Sequence, residues 1–297
     1  MRFFQNPTFF CAVQVLLFLA LQPASIAEPL RFAVSDLLSE TVSSQLEAIE
    51  DTDDLDLSIV SMGSLPALER LRTGNIDVAV MAFPEGATVP RSEFSIYPFA
   101  YAASIIVVNK NNPLDEISLG RLAGIFGTSE KNNYTTWADI GLSGWGSRKI
   151  KPVSGHTEDS IALELFKYSV LIEGGLKSSL DIVREEEVIR LLERDPAAIA
   201  ILSKVPDVST IKVLLLSEDD TSPAYGPTDD NIHFGDYPVR LAFYLVGPKS
   251  EDGYLERILR TLWSEEMADR LSAEGIFALP QTVRQKLVMD LEMDQSN

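Results

Sequence analysis

Two histidines, His156 and His233, are the side chains of this 297-residue sequence whose ordinary pKa lies near neutrality. General acid–base chemistry would need one of them beside a nucleophile or a matched carboxylate. The single cysteine, Cys11, sits in an apolar N-terminal run, and no Gly-x-Ser-x-Gly elbow, His-Glu-x-x-His pair or Walker phosphate loop occurs. Asp and Glu number 44, yet their spacing singles out no catalytic pair. Trp137 and Trp145 flank a Gly/Ser-rich loop, where they either stack on an organic ligand or pack. The chemistry left is non-covalent. The chain is expected to be no enzyme and to need no cofactor and no metal.

Against those 44 acids stand 25 Lys and Arg, a formal net charge of −19. Nucleic acid is thereby excluded as a partner, because its phosphates demand a basic face. The same charge offers anions no general attraction. An anion site would have to be assembled locally, from backbone N–H groups and hydroxyls. Such acidity otherwise serves solubility or a saline habitat.

The N-terminus reads as an export signal. Arg2 supplies a thin positive region, Phe9 to Leu21 is apolar, and Ser25-Ile26-Ala27 gives the small residues a signal peptidase reads. The apolar run is too short for a bilayer span, which takes roughly 20 residues. Cleavage after Ala27 removes residues 1–27 with Cys11 and leaves a periplasmic or secreted chain with no disulfide or thiolate. No later segment has spanning length, so no membrane insertion is expected after cleavage.

Short apolar strands alternate with amphipathic helices, the pattern of an α/β protein with mostly parallel sheets. Strands are expected at 30–35, 56–62, 76–82, 102–108, 150–153, 180–184, 197–202, 211–216 and 239–246. Helices are expected at 38–50, 65–72, 115–125, 160–171, 185–193, 251–271 and 281–292. Residues 51–54 read as an acidic turn, and 84–95, 132–148 and 217–236 as loops. A mature chain this long exceeds the usual single core, so two lobes are expected. Lobe I would hold 28–101 and 240–297, and lobe II 102–239, with crossovers at the apolar strands 102–108 and 239–246.

The stretch from Pro98 reads PFAYAASIIVVNKNNPLDEISLGRLAGIF, then TWADI, then IKPVSGHTEDSIALELFKYSVL. Asn109 to Pro113, Leu122 to Phe126, Thr136-Trp137 and the closing GIFALPQTV (Gly275 to Val283) follow one another in an order that resembles the PstS-like periplasmic phosphate-binding proteins of ABC importers. The resemblance covers most of the mature chain. It implies a two-lobe periplasmic-binding-protein-like fold with a ligand cleft between lobes. It further implies a monomer that holds a small anion or polar solute and hands it to an ABC permease or a sensor.

Carried over residue by residue, the resemblance implies a ligand set of Ser35, Gly63, Ser64, His156 and Ser160. Ser35 ends the first strand. Gly63 and Ser64 match the start of a Gly-Ser-Gly that opens the second helix, with Leu65 in the third place. His156 stands where the family has arginine, and Ser160 keeps a serine. Asp77 matches a structural aspartate. Ala82 stands where some members read phosphate with an aspartate, while Asp159, Ile161 and Ala162 replace two glycines and a threonine. Helix N-termini hold anions through unpaired N–H groups; Glu158 and Asp159 put negative charge there instead. Ser64 and Ser160 serve equally as helix caps, and His156 as a hydrogen-bonded loop residue. The alternative function is a scaffold that has lost its solute and binds a protein partner.

Overall fold

The computed structural model describes residues 29–53, 56–128, 130–158, 160–172, 175–249 and 254–294. The segment 1–27, its cleavage site at Ala27, and Asp159 lie outside the described residues. The chain begins with strand β1 (Leu30–Val34), helix α1 (Ser39–Asp53), β2 (Leu57–Ser61), α2 (Ser64–Arg72) and β3 (Val78–Phe83). β1 pairs in parallel with both β2 and β3. Its Phe32, Ala33 and Val34 are fully buried because helices cover both faces of the sheet. Residues 51–53 continue α1 instead of turning; Asp51 and Asp53 lie at its end, while Asp54 lies outside the described residues.

The apolar run expected as one strand at 102–108 is two strands. β4 (Ser95–Ala103) ends and β5 (Ile105–Asn109) begins on either side of Ser104, and they belong to different sheets. Ser104 is where the chain changes sheets. Its N–H donates to Val239 O (3.0 Å), its hydroxyl to Ala162 O (2.7 Å), and its carbonyl accepts from the Tyr237 hydroxyl (2.8 Å). The last five residues of β4 and all of β5 are buried on both faces, so their apolarity is continuous while their partners differ.

The middle of the chain supplies β6 (Glu116–Ser118), α3 (Leu119–Phe126), β7 (Lys151–Gly155), α4 (Ala162–Val170), β8 (Asp181–Val183), α5 (Glu185–Arg194), β9 (Ala198–Leu202), β10 (Ile211–Val213), β11 (Leu215–Ser217) and α6 (Asp229–Phe234). The helix expected at 115–125 therefore starts later, where the Ser118 hydroxyl caps it by accepting from Arg121 N. The strand expected at 211–216 splits at Leu214, whose N–H donates to Ile106 O. Within the expected loop 217–236, Thr228 caps α6 and Gly235, at φ +91°, ends it.

β12 (Arg240–Gly247), α7 (Tyr254–Leu262), α8 (Glu265–Ala273), β13 (Phe277–Ala278) and α9 (Gln281–Asp294) complete the chain. The Ser264 hydroxyl caps α8 and divides the expected helix 251–271 in two. Among the described residues, the first sheet runs β13-β4-β12-β3-β1-β2 and the second β10-β5-β9-β7-β8, with β11 and β6 forming a small parallel pair. Both large sheets are mixed: β12 is antiparallel to β3 and β4, and β5 to β9 and β10. No helix among the described residues is long and apolar enough to cross a membrane.

Asp77 ties β3 to β1. Its carboxylate accepts from the backbone N–H of Arg31 (2.9 Å) and from both arms of the guanidinium (3.0 and 2.6 Å). The Arg31 side-chain bond holds the Asp77 carboxyl below its ordinary range, against an opposing push from burial. Such charge-assisted bonds at a half-exposed site are worth about 1 kcal/mol. Asp77→Asn is expected to lose that amount at pH 7 in urea unfolding. A depressed carboxylate stabilises above its unfolded pKa, so the gap between wild type and variant should be full above pH 3.8 and close as pH falls through the folded value.

Candidate functional site

A cleft of about 650 Å³ lies between the two large sheets. One wall is the segment that leaves β1 and starts α1, from Asp36 to Thr41, together with Ala102 and Ala103 at the end of β4. Across from it stand Thr157, Glu158, Ser160 and Ile161 before α4, its first turn, and Ser203 after β9; Glu274 to Ile276 closes the side towards β13. The crossing at Ser104 follows directly on Ala103, and its bond to Ala162 O fixes the start of α4 to this crossing. Both sheets therefore contribute walls, and the chain crossing lies at the back.

The structure disperses the five sequence-predicted residues. Ser160 is on the cleft wall; its hydroxyl oxygen accepts from Ala162 N (3.3 Å), a local turn bond just before α4. Ser35 is buried at the end of β1, one residue before the wall residue Asp36, and its N–H donates to Val80 O. His156 is half-buried, one residue before Thr157, with Nδ1 accepting from the backbone N–H of Glu158 (3.1 Å) and the Glu158 carboxylate 3.7 Å away. That bond leaves Nε2 as the protonated nitrogen of the neutral ring. Gly63 is the N-cap of α2 with an ordinary φ of −65°. The Ser64 hydroxyl oxygen accepts from Ala82 N (2.8 Å), pinning α2 to β3. Neither Gly63 nor Ser64 lines the cleft.

Two features escaped sequence reasoning. Ser203 donates through its N–H and its hydroxyl (2.8 and 2.9 Å) to the carboxylate of Glu185, the first residue of α5. From the sequence Glu185 reads only as the first residue of the expected helix 185–193, and nothing in its neighbourhood announces Ser203. The other is the sign of the cleft. Asp36, Glu40, Glu158, Glu164 and Glu274 line it, and no lysine or arginine does among the described residues. The tryptophans, by contrast, pack. Trp137 is fully buried with Nε1 donating to Ala197 O, and it meets Trp145 edge-on, which in turn carries the Arg148 guanidinium over its ring.

Beside the second crossing, the Tyr101 hydroxyl and His233 Nδ1 lie 3.1 Å apart, and Arg240 stands over the Tyr101 ring while donating to the Ile232 carbonyl at the end of α6. Burial pushes the Tyr101 hydroxyl up to about 12. Burial first, and the Arg240 charge second, push the His233 pKa down. A depressed histidine is neutral in the fold, so stability is full above pH 6.5, the ordinary value, and declines as pH falls through the folded value. His233→Gln should therefore lose less melting temperature than wild type between pH 7.5 and 5. The difference should be about 1–2 °C for a group this exposed.

Comparison with known proteins agrees with the architecture. A family model described as a PBP superfamily domain matches residues 21–269. The phosphate-binding protein PstS of Pseudomonas aeruginosa is 22% identical over 206 residues, covering 65% of this chain and 63% of that protein. The match thus spans less than two thirds of that relative's own length. Among solved structures, a possible phosphate-binding protein from Planctomyces limnophilus superposes with TM-score 0.69 at 15% identity, covering 91% of this chain and 99% of its own. PstS from Borrelia burgdorferi superposes with TM-score 0.68 at 15% identity, covering 84% and 98%. At such identities the structural likeness concerns the fold.

Proposed function

The chain belongs to the PBP superfamily, and from that premise we propose that it is an exported solute-binding protein whose two lobes close on a small polar solute. The observation that carries this reading is the cleft itself, about 650 Å³, walled by both sheets and backed by the chain crossing at Ser104. A volume of that order suits a small molecule, and two lobes joined by short crossings suit hinge closure. Periplasmic residence, with cleavage after Ala27, and delivery to an ABC permease or a sensor belong to the same reading. The phosphate-binding names of the relatives make an oxyanion the first solute to try. The residues proposed to face or support the ligand are Ser35 and Ser160, with His156 behind the wall and Gly63-Ser64 positioning α2.

Gly275 marks where the lobes touch. It has φ +77°, and a Cβ there would come within 2.9 Å of the Lys204 Cβ and 3.4 Å of Ser203 O. Only a residue without a side chain allows this approach.

A ligand present at about 100 times its dissociation constant stabilises the fold by about 2.7 kcal/mol, or about 5–10 °C in a protein of this size. Thermal melting with phosphate, sulfate, organic anions, amines and sugars should show one such shift, and small-angle scattering with that solute should show compaction. Gly275→Val should wedge the lobes apart, abolish the compaction and weaken binding about tenfold. A panel with neither shift nor compaction would transfer the function to docking of a protein partner.

A further inference from the structure

The apolar part of the cleft lining deepens the solute-binding reading by naming a ligand class, and that class stands only if the cleft takes a solute at all. Leu37 on one wall is 41% exposed. Ile161 on the opposite wall and Ile276 at the side are half-buried, and Ala102 and Ala103 form the back. Single exposed apolar side chains are ordinary on any protein surface. Here they come from four separate segments of the chain and meet around one cavity of about 650 Å³. Water in that space gains no hydrogen bond from them, so its release on closure favours a ligand with apolar surface of its own.

The polar groups that would hold an oxyanion are engaged within the chain. The Ser39 hydroxyl donates to Asp36 O (3.4 Å), and Ser203 spends its N–H and hydroxyl on the Glu185 carboxylate. The Glu158 N–H is taken by His156 Nδ1, and Ala162 N by the Ser160 hydroxyl. No lysine or arginine lines the cleft among the described residues. The hydroxyls of Thr41 and Thr157, by contrast, stand one on each wall without a hydrogen-bond partner among the described residues. A hydroxyl both donates and accepts, so an uncharged amide or hydroxyl on a ligand pairs with either.

We propose that the cleft captures an organic solute with an apolar body and no anionic group. The body contacts Leu37, Ile161 and Ile276, and its polar end meets Thr41 and Thr157. The size agrees, because pockets of this order enclose whole organic molecules, with apolar walls and a few placed polar groups. Closure brings Leu37 and Ile161 onto the body from opposite sides. The solute then completes an apolar contact between the lobes that neither wall supplies alone.

The test is calorimetric titration of the protein with N-acetyl-leucinamide, N-acetyl-glycinamide, N-acetyl-leucine and phosphate. The second probe lacks the apolar body, and the third keeps that body but adds a carboxylate. Saturable one-to-one binding of N-acetyl-leucinamide is expected, about tenfold tighter than that of either matched probe, with no binding of phosphate. Leu37→Ser and Ile161→Ser should each weaken it about fivefold. Leu37 lies outside any helix, so its variant tests the wall without disturbing the fold. Leu65→Ser, at a leucine 78% exposed but outside the cleft, should leave binding unchanged. Equal weakening by Leu65→Ser would reveal adhesion to any exposed apolar side chain and overturn the proposal. Equal binding of N-acetyl-glycinamide would overturn the apolar body, and tighter binding of N-acetyl-leucine or phosphate would overturn the exclusion of anions. Each of those results leaves the solute-binding reading intact. If none of the four probes binds, the ligand class is overturned, and the broader solute panel with its scattering readout decides the solute-binding reading separately.

Discussion

Ser104 is the point on which the arrangement of the two sheets depends. One residue engages three partners distant in sequence: the second crossing through Val239, the head of α4 through Ala162, and the fully buried Tyr237 ring through its hydroxyl. Each of these bonds satisfies a backbone or hydroxyl group that would otherwise be buried unpaired, at a cost of about 1–3 kcal/mol. Because the crossing at Ser104 is bonded directly to the crossing at Val239, the two move together. The head of α4, which forms one wall of the cleft, is attached to the same point. Any rotation of one sheet against the other is thus felt at the cleft through short, directional contacts.

Polar groups in and beside the cleft are turned inward. Hydroxyls and a ring nitrogen here stabilise loops and helix starts: Ser64 to β3, Ser160 to the start of α4, His156 to Glu158, Ser203 to Glu185. The Glu185 carboxylate is itself an anion held by an N–H and a hydroxyl. What remains open on the walls is mostly carboxylate, and that follows from composition as much as from place, since acids exceed bases by 19 over the whole chain.

How much of this was legible beforehand divides by range. The alternation of elements, the helix at 65–72 and the buried strand at 76–82 were visible because local periodicity and a stop such as Gly74 encode them. The structural part of Asp77 was visible through its motif. Division of the run 102–108 was not, because strands buried on both faces read alike whichever sheet they join. The same holds at Leu214, where one peptide changes partner. Among candidate site residues, Ser160, carried over by the resemblance, lies on the cleft wall. Ser64 was indistinguishable from a ligand, since a serine at a helix start looks the same whether it meets a solute or the end of β3. The Glu185–Ser203 pair depends on how α5 approaches β9, a matter of three-dimensional packing that no spacing rule records.

The strand order also carries a temporal consequence. β12 lies between β3 and β4 and pairs with both, so the first sheet has a gap until residues 240–247 have emerged. The second sheet is built wholly from residues 105–213. A chain emerging N-terminus first would therefore complete its second sheet while its first lay open at the centre, with the unpaired edges of β3 and β4 exposed. Unpaired strand edges invite association with other chains. The interval between residues 103 and 240 is thus the vulnerable stage in the folding of this chain, and it ends when one late strand slots between two early ones.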